Sequence, residues 1–355
     1  MSHSSTPTDE SSTDSSAQAN QTQSNLTDHR ESVTDADTRT RANENQSSEF
    51  AVPDGVDLST LLMSTAELDE ARTLPYHTAE ELIENPSMDD PQFTGTLAYE
   101  TLAVLAKHLV GIASESRVAI TTDGWYISVV NPSNVAMVSA WLPATDWAAY
   151  ECDREGVIGL SWDGGGSSVS RALKHFSRGA AVEIALDDRT IAFDDGIPIE
   201  FATFDPDSAR QTPEMPDLVL PNSCVLPGVD LDELTKRMDD IAAHFSIVGL
   251  PAINGVELVA EGESAAVRKE YQEFADLTVF DGSRKHNVFD THVVDSDRSV
   301  FSLDYIREFL SKPRKSDLRT GYKLRFGSEF PMKIERQLGE DGFLRYLQAP
   351  RIESS

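Results

Sequence analysis

One order of elements occurs twice along this chain: two helices, each followed by several short strands. In the first pass Leu102, Leu105, Leu109 and Ile112 recur at helical spacing. Short strands follow at residues 117–121, 125–130 and 136–142, separated by Thr-Asp-Gly and Asn-Pro-Ser turns. A second helix is predicted over 169–178, then strands near 181–186, 190–193 and 198–204. In the second pass a helix is predicted over 231–245, with Asp230 and Glu233 as a capping box. Strands follow near 246–249, 255–260 and 265–271. Another helix runs from a Ser302 cap to a stop at Pro313, and strands near 322–326, 332–336 and 344–348 close the chain. A Pro-rich connector, residues 205–218, joins the two passes. Such a chain folds as two similar α+β domains and not as one long domain.

The segments before residue 93 do not share this pattern. Residues 1–49 are Ser, Thr, Asp, Gln and Asn with almost no large apolar side chain, so they bury too little surface to offset the entropy of ordering and are expected to be disordered. Residues 50–92 carry apolar clusters (Leu58, Leu61, Leu62 and Met63; Leu82 and Ile83) among ten acids and one base, Arg72. Thr78 and Glu81 read as a capping box opening a short helix. The expected division is a disordered acidic tail (1–49), an acidic extension of unknown structure (50–92), a first domain (93–204), a connecting loop (205–221) and a second domain (222–355).

Charge narrows the environment and the partners. The chain of 355 residues holds 60 Asp plus Glu against 30 Lys plus Arg, a net charge of −30, and only 9 of the bases are Lys. A surface so acidic and so poor in Lys suits high salt, where fixed charge is screened within about 3 Å at 1 M. Cys152 and Cys224 stand in no metal or redox spacing and read as buried free thiols of a cytoplasmic protein. No stretch reaches the ~20 apolar residues of a membrane span, and no apolar signal core opens the chain.

Positive charge is nevertheless gathered in particular helices. Val169, Leu173, Phe176 and Ala180 share one face of the predicted second helix, and Arg171, Lys174, His175 and Arg178 share the other. Between Tyr305 and Arg325 seven bases (Arg307, Lys312, Arg314, Lys315, Arg319, Lys323 and Arg325) stand against two acids, Glu308 and Asp317. Lys236 and Arg237 lie among Asp232, Glu233, Asp239 and Asp240 and make a weaker case. A solvated amphipathic helix explains any one stripe. Cations concentrated on helices of a polyanionic chain are what a surface facing phosphates requires.

Four separated motifs resemble those of the archaeal DNA polymerase sliding clamp, the proliferating cell nuclear antigen family. They are Trp-Tyr-Ile-Ser-Val-Val-Asn-Pro-Ser-Asn-Val-Ala-Met at 125–137, the connector Phe204 to Leu218, Phe-Ser-Leu-Asp-Tyr at 301–305 and Ala-Pro-Arg-Ile at 349–352. The resemblance spans residues 93–355 in one continuous order and is greatest to haloarchaeal clamps. It implies a DNA-clamp fold: two pseudo-repeated domains, antiparallel sheets outside, and helices lining the inner face of a homotrimeric ring around duplex DNA. By that resemblance Lys107, Arg171, Lys174, Arg178, Lys236, Arg237, Arg307, Lys312, Arg314, Lys315 and Arg319 face DNA. It also implies a pocket for short peptide motifs of DNA polymerase, clamp loader, ligase and nucleases. Matching positions are Val130, Val135, Met137, Met215, Leu218, Pro331, Leu347, Ala349 and Pro350. The chain departs from the family in its 92 leading residues, in a longer 274–300 segment with Arg284-Lys-His286, in Leu347 where an aromatic residue is frequent, and in Arg268 and Lys269 on the expected subunit edge.

No catalytic residue, metal or cofactor is expected. The chain lacks a GxxxxGK[ST] loop, a GxSxG elbow and His-rich metal spacing, and Gly164-Gly-Gly166 lacks the lysine of a phosphate loop. Two other readings stay open at this point: a regulatory paralogue forming mixed rings or limiting clamp function, and a DNA-modifying enzyme on a clamp-like scaffold. The composition of the tail yields a first prediction. Deleting residues 1–49 leaves the melting temperature within about a degree in matched salt, since so few apolar groups have little to bury. A drop of several degrees by calorimetry would contradict it.

Overall fold

The computed structural model describes residues 76–84, 86, 90–164, 167–213, 220–272, 289–314, 317–318 and 320–351. The expected tail and most of the expected extension, Met215, Leu218, Lys315, Arg319 and Arg284-Lys-His286 lie outside the described residues.

Within them the order read from the sequence is present, with more strands. Helix α1 (Tyr76–Glu84) precedes β1 (Gln92–Ala98) and α2 (Tyr99–Val110). Then come β2 (Glu115–Thr121), β3 (Gly124–Val130), β4 (Ala136–Pro143), β5 (Ala149–Arg154), β6 (Gly156–Ser161), the single turn α3 (Val169–Ala172), β7 (Ala181–Asp187), β8 (Thr190–Asp194) and β9 (Ile199–Ala202). The second pass holds β10 (Asn222–Pro227), α4 (Gly228–Asp239), β11 (His244–Leu250), β12 (Gly255–Glu261), β13 (Ala266–Gln272), β14 (Phe289–His292), β15 (Arg298–Ser302) and α5 (Leu303–Ser311). It ends with β16 (Gly321–Phe326), β17 (Met332–Leu338) and β18 (Gly342–Gln348). No described helix is long and apolar enough to cross a membrane.

The strands form three antiparallel sheets, ordered β5-β1-β7-β8-β9, β14-β10-β16-β17-β18-β4-β3-β2-β6 and β13-β12-β11-β15. The nine-stranded sheet joins the two passes. β18 pairs with β4 from Phe343↔Trp141 to Gln348↔Ala136, and both strands are buried along their whole length. Helices α2 to α5 lie on one face of this sheet and α1 on the other, and Leu102, Leu105, Leu109 and Ile112 are all buried, as their spacing requires.

The helix starts differ from the sequence reading for one shared reason. Backbone carbonyls of other elements replace side-chain caps. Tyr99 N donates to Ala180 O at 3.0 Å, Gly228 N to Thr320 O at 3.1 Å, Leu303 N to Ala243 O at 3.0 Å and Ser170 N to Trp162 O at 3.0 Å. So α4 starts at Gly228, before the expected Asp230 cap, with Gly228 against the Tyr322 ring, where a Cβ would come within 2.2 Å of a ring carbon. Ser302 stands at the start of α5 but makes no side-chain cap bond. The expected helix over 169–178 is helical only to Ala172. Lys174 N and His175 N then bond three residues back, and Gly179 adopts φ +76° before β7. The helix expected over 231–245 ends at Asp239 because β11 begins at His244. Thr78 lies inside α1 and does not cap it. Cys224 is buried as expected, but Cys152 on β5 is half-buried.

At the junction of the two passes α2 packs on α5, and His108 is wholly buried between them. Arg336 Nη1 donates to Tyr322 Oη at 3.0 Å, which leaves the hydroxyl proton for His108 Nε2, also at 3.0 Å. Nδ1 then carries the ring proton and donates to Val104 O at 2.8 Å. This chain of donors fixes a neutral imidazole, and burial together with the Arg336 charge pushes its pKa down to about 3. A histidine whose folded pKa lies below its unfolded value of 6.5 leaves stability intact above that pH and erodes it as pH falls toward 3. The slope is at most about 1.4 kcal/mol per pH unit. We predict that His108→Gln flattens the loss of unfolding free energy between about pH 6.5 and pH 5, above the range where ordinary carboxylates titrate. Denaturant titrations at fixed salt measure this, and an unchanged slope would contradict it.

Candidate functional site

Two faces of the nine-stranded sheet carry the expected site residues. On the helical face the packing order is α3, α2, α5, α4. Arg171, Lys174, His175 and Arg178 are exposed around α3, even though the helix is short, because Leu173 and Phe176 still turn inward. Lys236, Arg237 and Lys312 are also exposed.

Four expected cations, Lys236 among them, are held in ion pairs. Lys107 Nζ lies 2.7 Å from Asp317, and Arg314 Nε lies 3.4 Å from the same carboxylate. Burial raises the Asp317 pKa, but Lys107 and the Arg314 backbone N–H outweigh it and hold the carboxyl below its ordinary range. Arg307 is the most committed. Its Nη1 lies 2.7 Å from Asp232, whose side chain is 3% exposed, and it reaches Thr235 Oγ1 at 3.3 Å. Lys236, exposed at its end, pairs with Asp232 from the same helix. Arg307 therefore ties α5 to α4. Its charge is bound into the fold, whereas Lys174 and Arg178 are exposed. Composition could not separate the two groups, since the partner acids lie 75 residues away for Arg307 and 210 for Lys107.

On the opposite face, strand register places side chains in rows about 7 Å apart, two residues along each strand. One row is Val130, Met137 and Leu347, set side by side by the pairs Val130↔Met137 and Leu347↔Met137, and these three form their own buried apolar cluster. The Asn-Pro-Ser turn beside them is built by Asn131, whose Oδ1 accepts from Val135 N at 2.9 Å and Ala136 N at 3.1 Å, with Asn134 at φ +56°. Ala349 N donates to Val135 O at 2.9 Å and brings the C-terminal segment to the same turn. Val135, Pro331, Ala349 and Pro350 are half-buried. The connector reaches the row from the far side. Phe204 and Gly159 exchange backbone bonds of 2.9 and 3.0 Å, Arg210 donates to Asn134 Oδ1 at 2.8 Å, and Thr212 Oγ1 donates to Ser128 O at 3.2 Å.

Two features escaped the sequence reading. One is a buried ionic group on this face. Glu335 takes Arg345 at 3.0 Å, Arg325 at 3.1 Å and Lys333 at 3.6 Å, although alternation predicts only a half-exposed strand. Arg325, one of the seven clustered bases, is thereby placed on the side away from the helices. The other is the docked face of α1, a segment expected only as a short helix: its Tyr76, Ala79 and Ile83 bury themselves on Tyr126, Trp141, Phe343, Ala119 and Val157. Apolar residues at positions 76, 79 and 83 are one face of a helix, a signal present in the sequence but masked by the surrounding acids.

Known proteins share this arrangement. No protein-family model matches the chain. The DNA polymerase sliding clamp of Natronomonas pharaonis is 31% identical over 268 residues, covering 74% of this chain and 99% of that protein. The DNA polymerase sliding clamp of Haloarcula marismortui is 30% identical over 269 residues, with 74% and 99% covered. Among solved structures, A. fulgidus PCNA bound to the C-terminal region of FEN-1 superposes with a TM-score of 0.62 at 23% identity, over 74% of this chain and all of that one. Proliferating Cellular Nuclear Antigen from Entamoeba histolytica gives 0.61 at 16% identity, over 73% and 99%. With the same fold over nearly the whole length of its relatives, and with two of them at or above 30% identity, the chain belongs to the DNA polymerase sliding clamp family.

Proposed function

We propose that this chain is the subunit of a ring that encircles duplex DNA and tethers DNA polymerase and other replication and repair proteins to it. The observation that carries this is the division of labour between the two faces of one continuous sheet: exposed cations on the helical side, an apolar row beside an extended connector on the other. The two repeated units are residues 93–204 and 222–355, linked by 205–221. Strands β9 and β13 end the five-stranded and four-stranded sheets, and an edge with unpaired backbone groups pairs readily. β9 of one copy against β13 of the next closes a ring of three.

A ring also answers the chain's charge. Binding through Lys and Arg alone weakens steeply as salt rises, because condensed counterions return to the DNA. A closed ring is held by topology, so a few free cations suffice to centre the duplex. Of the proposed DNA-facing residues, Arg171, Lys174, Arg178, Arg237 and Lys312 serve this best, since they are exposed. Arg307 and Lys107 serve the fold first. The A. fulgidus relative is bound to a C-terminal region of FEN-1, which supports peptide docking as the mode of partner capture here. Val130, Met137 and Leu347 form the floor of that site, with Val135, Pro331, Ala349 and Pro350 at its rim, and the family resemblance adds Met215 and Leu218 of the connector.

Two measurements test this. Changing Arg171, Lys174 and Arg178 together to Glu is expected to leave the mass of the ring unchanged while lowering polymerase stimulation at least severalfold. Unaltered stimulation would remove the inner-face assignment. Changing Met215 and Leu218 together to Ser is expected to weaken a peptide with an aliphatic plug and aromatic anchors by severalfold to a hundredfold, about 1–3 kcal/mol. Titration in matched salt reads this, with light scattering confirming a trimer. Equal binding by both chains would remove the pocket.

A further inference from the structure

Helix α1 lies on the same sheet face as the apolar row, and one side chain links it to the connector. Along the strands the outer face reads as three successive rows. The first is Val157, Ala119, Tyr126, Trp141 and Phe343, and α1 covers it. The second is Gly159, Arg117, Ser128, Ser139 and Arg345. The third is Val130, Met137 and Leu347. Arg117 thus stands between the helix and the path of the connector.

Its guanidinium is 8% exposed and its donors go to both neighbours. Nη1 donates to Ile83 O at 3.2 Å, a carbonyl in the last turn of α1 that has no partner within the helix. Nε donates to Pro206 O at 2.9 Å and Nη2 to Asp207 Oδ1 at 3.4 Å, both at the root of the connector. Asp205 Oδ1 accepts from Asp207 N at 2.9 Å and shapes that root into the tight turn that presents the two acceptors. Tyr126 donates to Glu80 Oε1 at 2.9 Å, and Arg345 of the second row lies over the Tyr76 ring at 5.9 Å, so α1 is fastened at both ends. A nine-residue helix is too short to persist in water by itself and exists here through this packing.

We propose that α1 and Arg117 form a latch that fixes the root of the connector and so pre-organises the partner site; the segment before residue 93 thereby regulates how tightly partners bind. The direction follows from the donor count. With α1 docked, the Arg117 side chain is nearly covered and each of its three nitrogens has an acceptor, so Pro206 and Asp207 are held in one place. With α1 gone, water reaches Arg117, the fork loses its third acceptor, and the connector must be ordered by the incoming peptide, which costs affinity. The proposal rests on the pocket reading for its consequence, but not for the latch itself.

The test uses the assembled ring of the full chain, the Arg117→Gln chain, a chain lacking residues 1–86, and the two changes combined. Arg210 is exposed on the connector, so the rate of trypsin cleavage after it reports how firmly the root is held. Arg117→Gln keeps the apolar surface of α1 and serves even where the truncated chain aggregates through its bared Trp141 and Phe343. Each single change is expected to speed cleavage after Arg210 and to weaken the clamp-binding peptide at least threefold, with the combination no greater than either alone. Unchanged cleavage in Arg117→Gln, multiplying effects in the combination, or tighter peptide binding by the truncated chain would each overturn the latch. Faster cleavage in Arg117→Gln, with peptide binding indifferent to the Met215 and Leu218 changes, would sustain the latch and overturn the pocket.

Discussion

The antiparallel pairing of β4 with β18 is the interaction on which the rest depends. It makes one nine-stranded sheet out of two repeated units, so that helices from both units share one face and the connector is left to cross the other. Both strands are buried along their whole length, with Ser139, Arg345 and Gln348 buried among their apolar residues. The five-stranded and four-stranded sheets end in β9 and β13, one from each unit.

Backbone economy recurs on the helical side. Four helices begin on carbonyls borrowed from neighbouring elements, at Ala180, Trp162, Thr320 and Ala243. This frees the first turns of side-chain caps and fixes each helix relative to a strand or loop. The same side holds the buried His108–Tyr322–Arg336 chain and the Arg307–Asp232 pair, so polar groups specify the helix packing wherever apolar contact alone would allow sliding.

The outer face is more crowded than a bare family fold would require. A docked helix, a connector and a buried carboxylate with three cationic neighbours occupy successive rows. Arg117 and Arg345 sit in the middle row because a long cationic side chain can satisfy donors on one side and pack its stem or plane on the other. Affinity for partners on such a face depends on how much of it is already ordered before they arrive.

Much of the fold was legible from the sequence. The 3.6-residue spacing of Leu102, Leu105 and Leu109, the short turn-bounded strands, the Asn-Pro-Ser turn and the repeated order are local patterns with local causes, and four motifs carried the family. Strands such as β1, β5, β6 and β10 were not legible, because a short strand is defined by the neighbour it pairs with. The division of the cations was not legible either. Arg171 and Arg307 look alike in the sequence, and only the fold brings Asp232 to 2.7 Å from Arg307 while leaving Arg171 exposed. The grouping of Val130, Met137 and Leu347 came from resemblance; register alone makes them neighbours, since a shift of one residue would turn each to the opposite face. Thus the sequence determined the elements, the repeat and the charge, which follow from spacing along the chain. Tertiary structure decided which charges are spent inside and that α1 shares a face with the connector, because ion pairs and docked faces depend on distances that only folding sets.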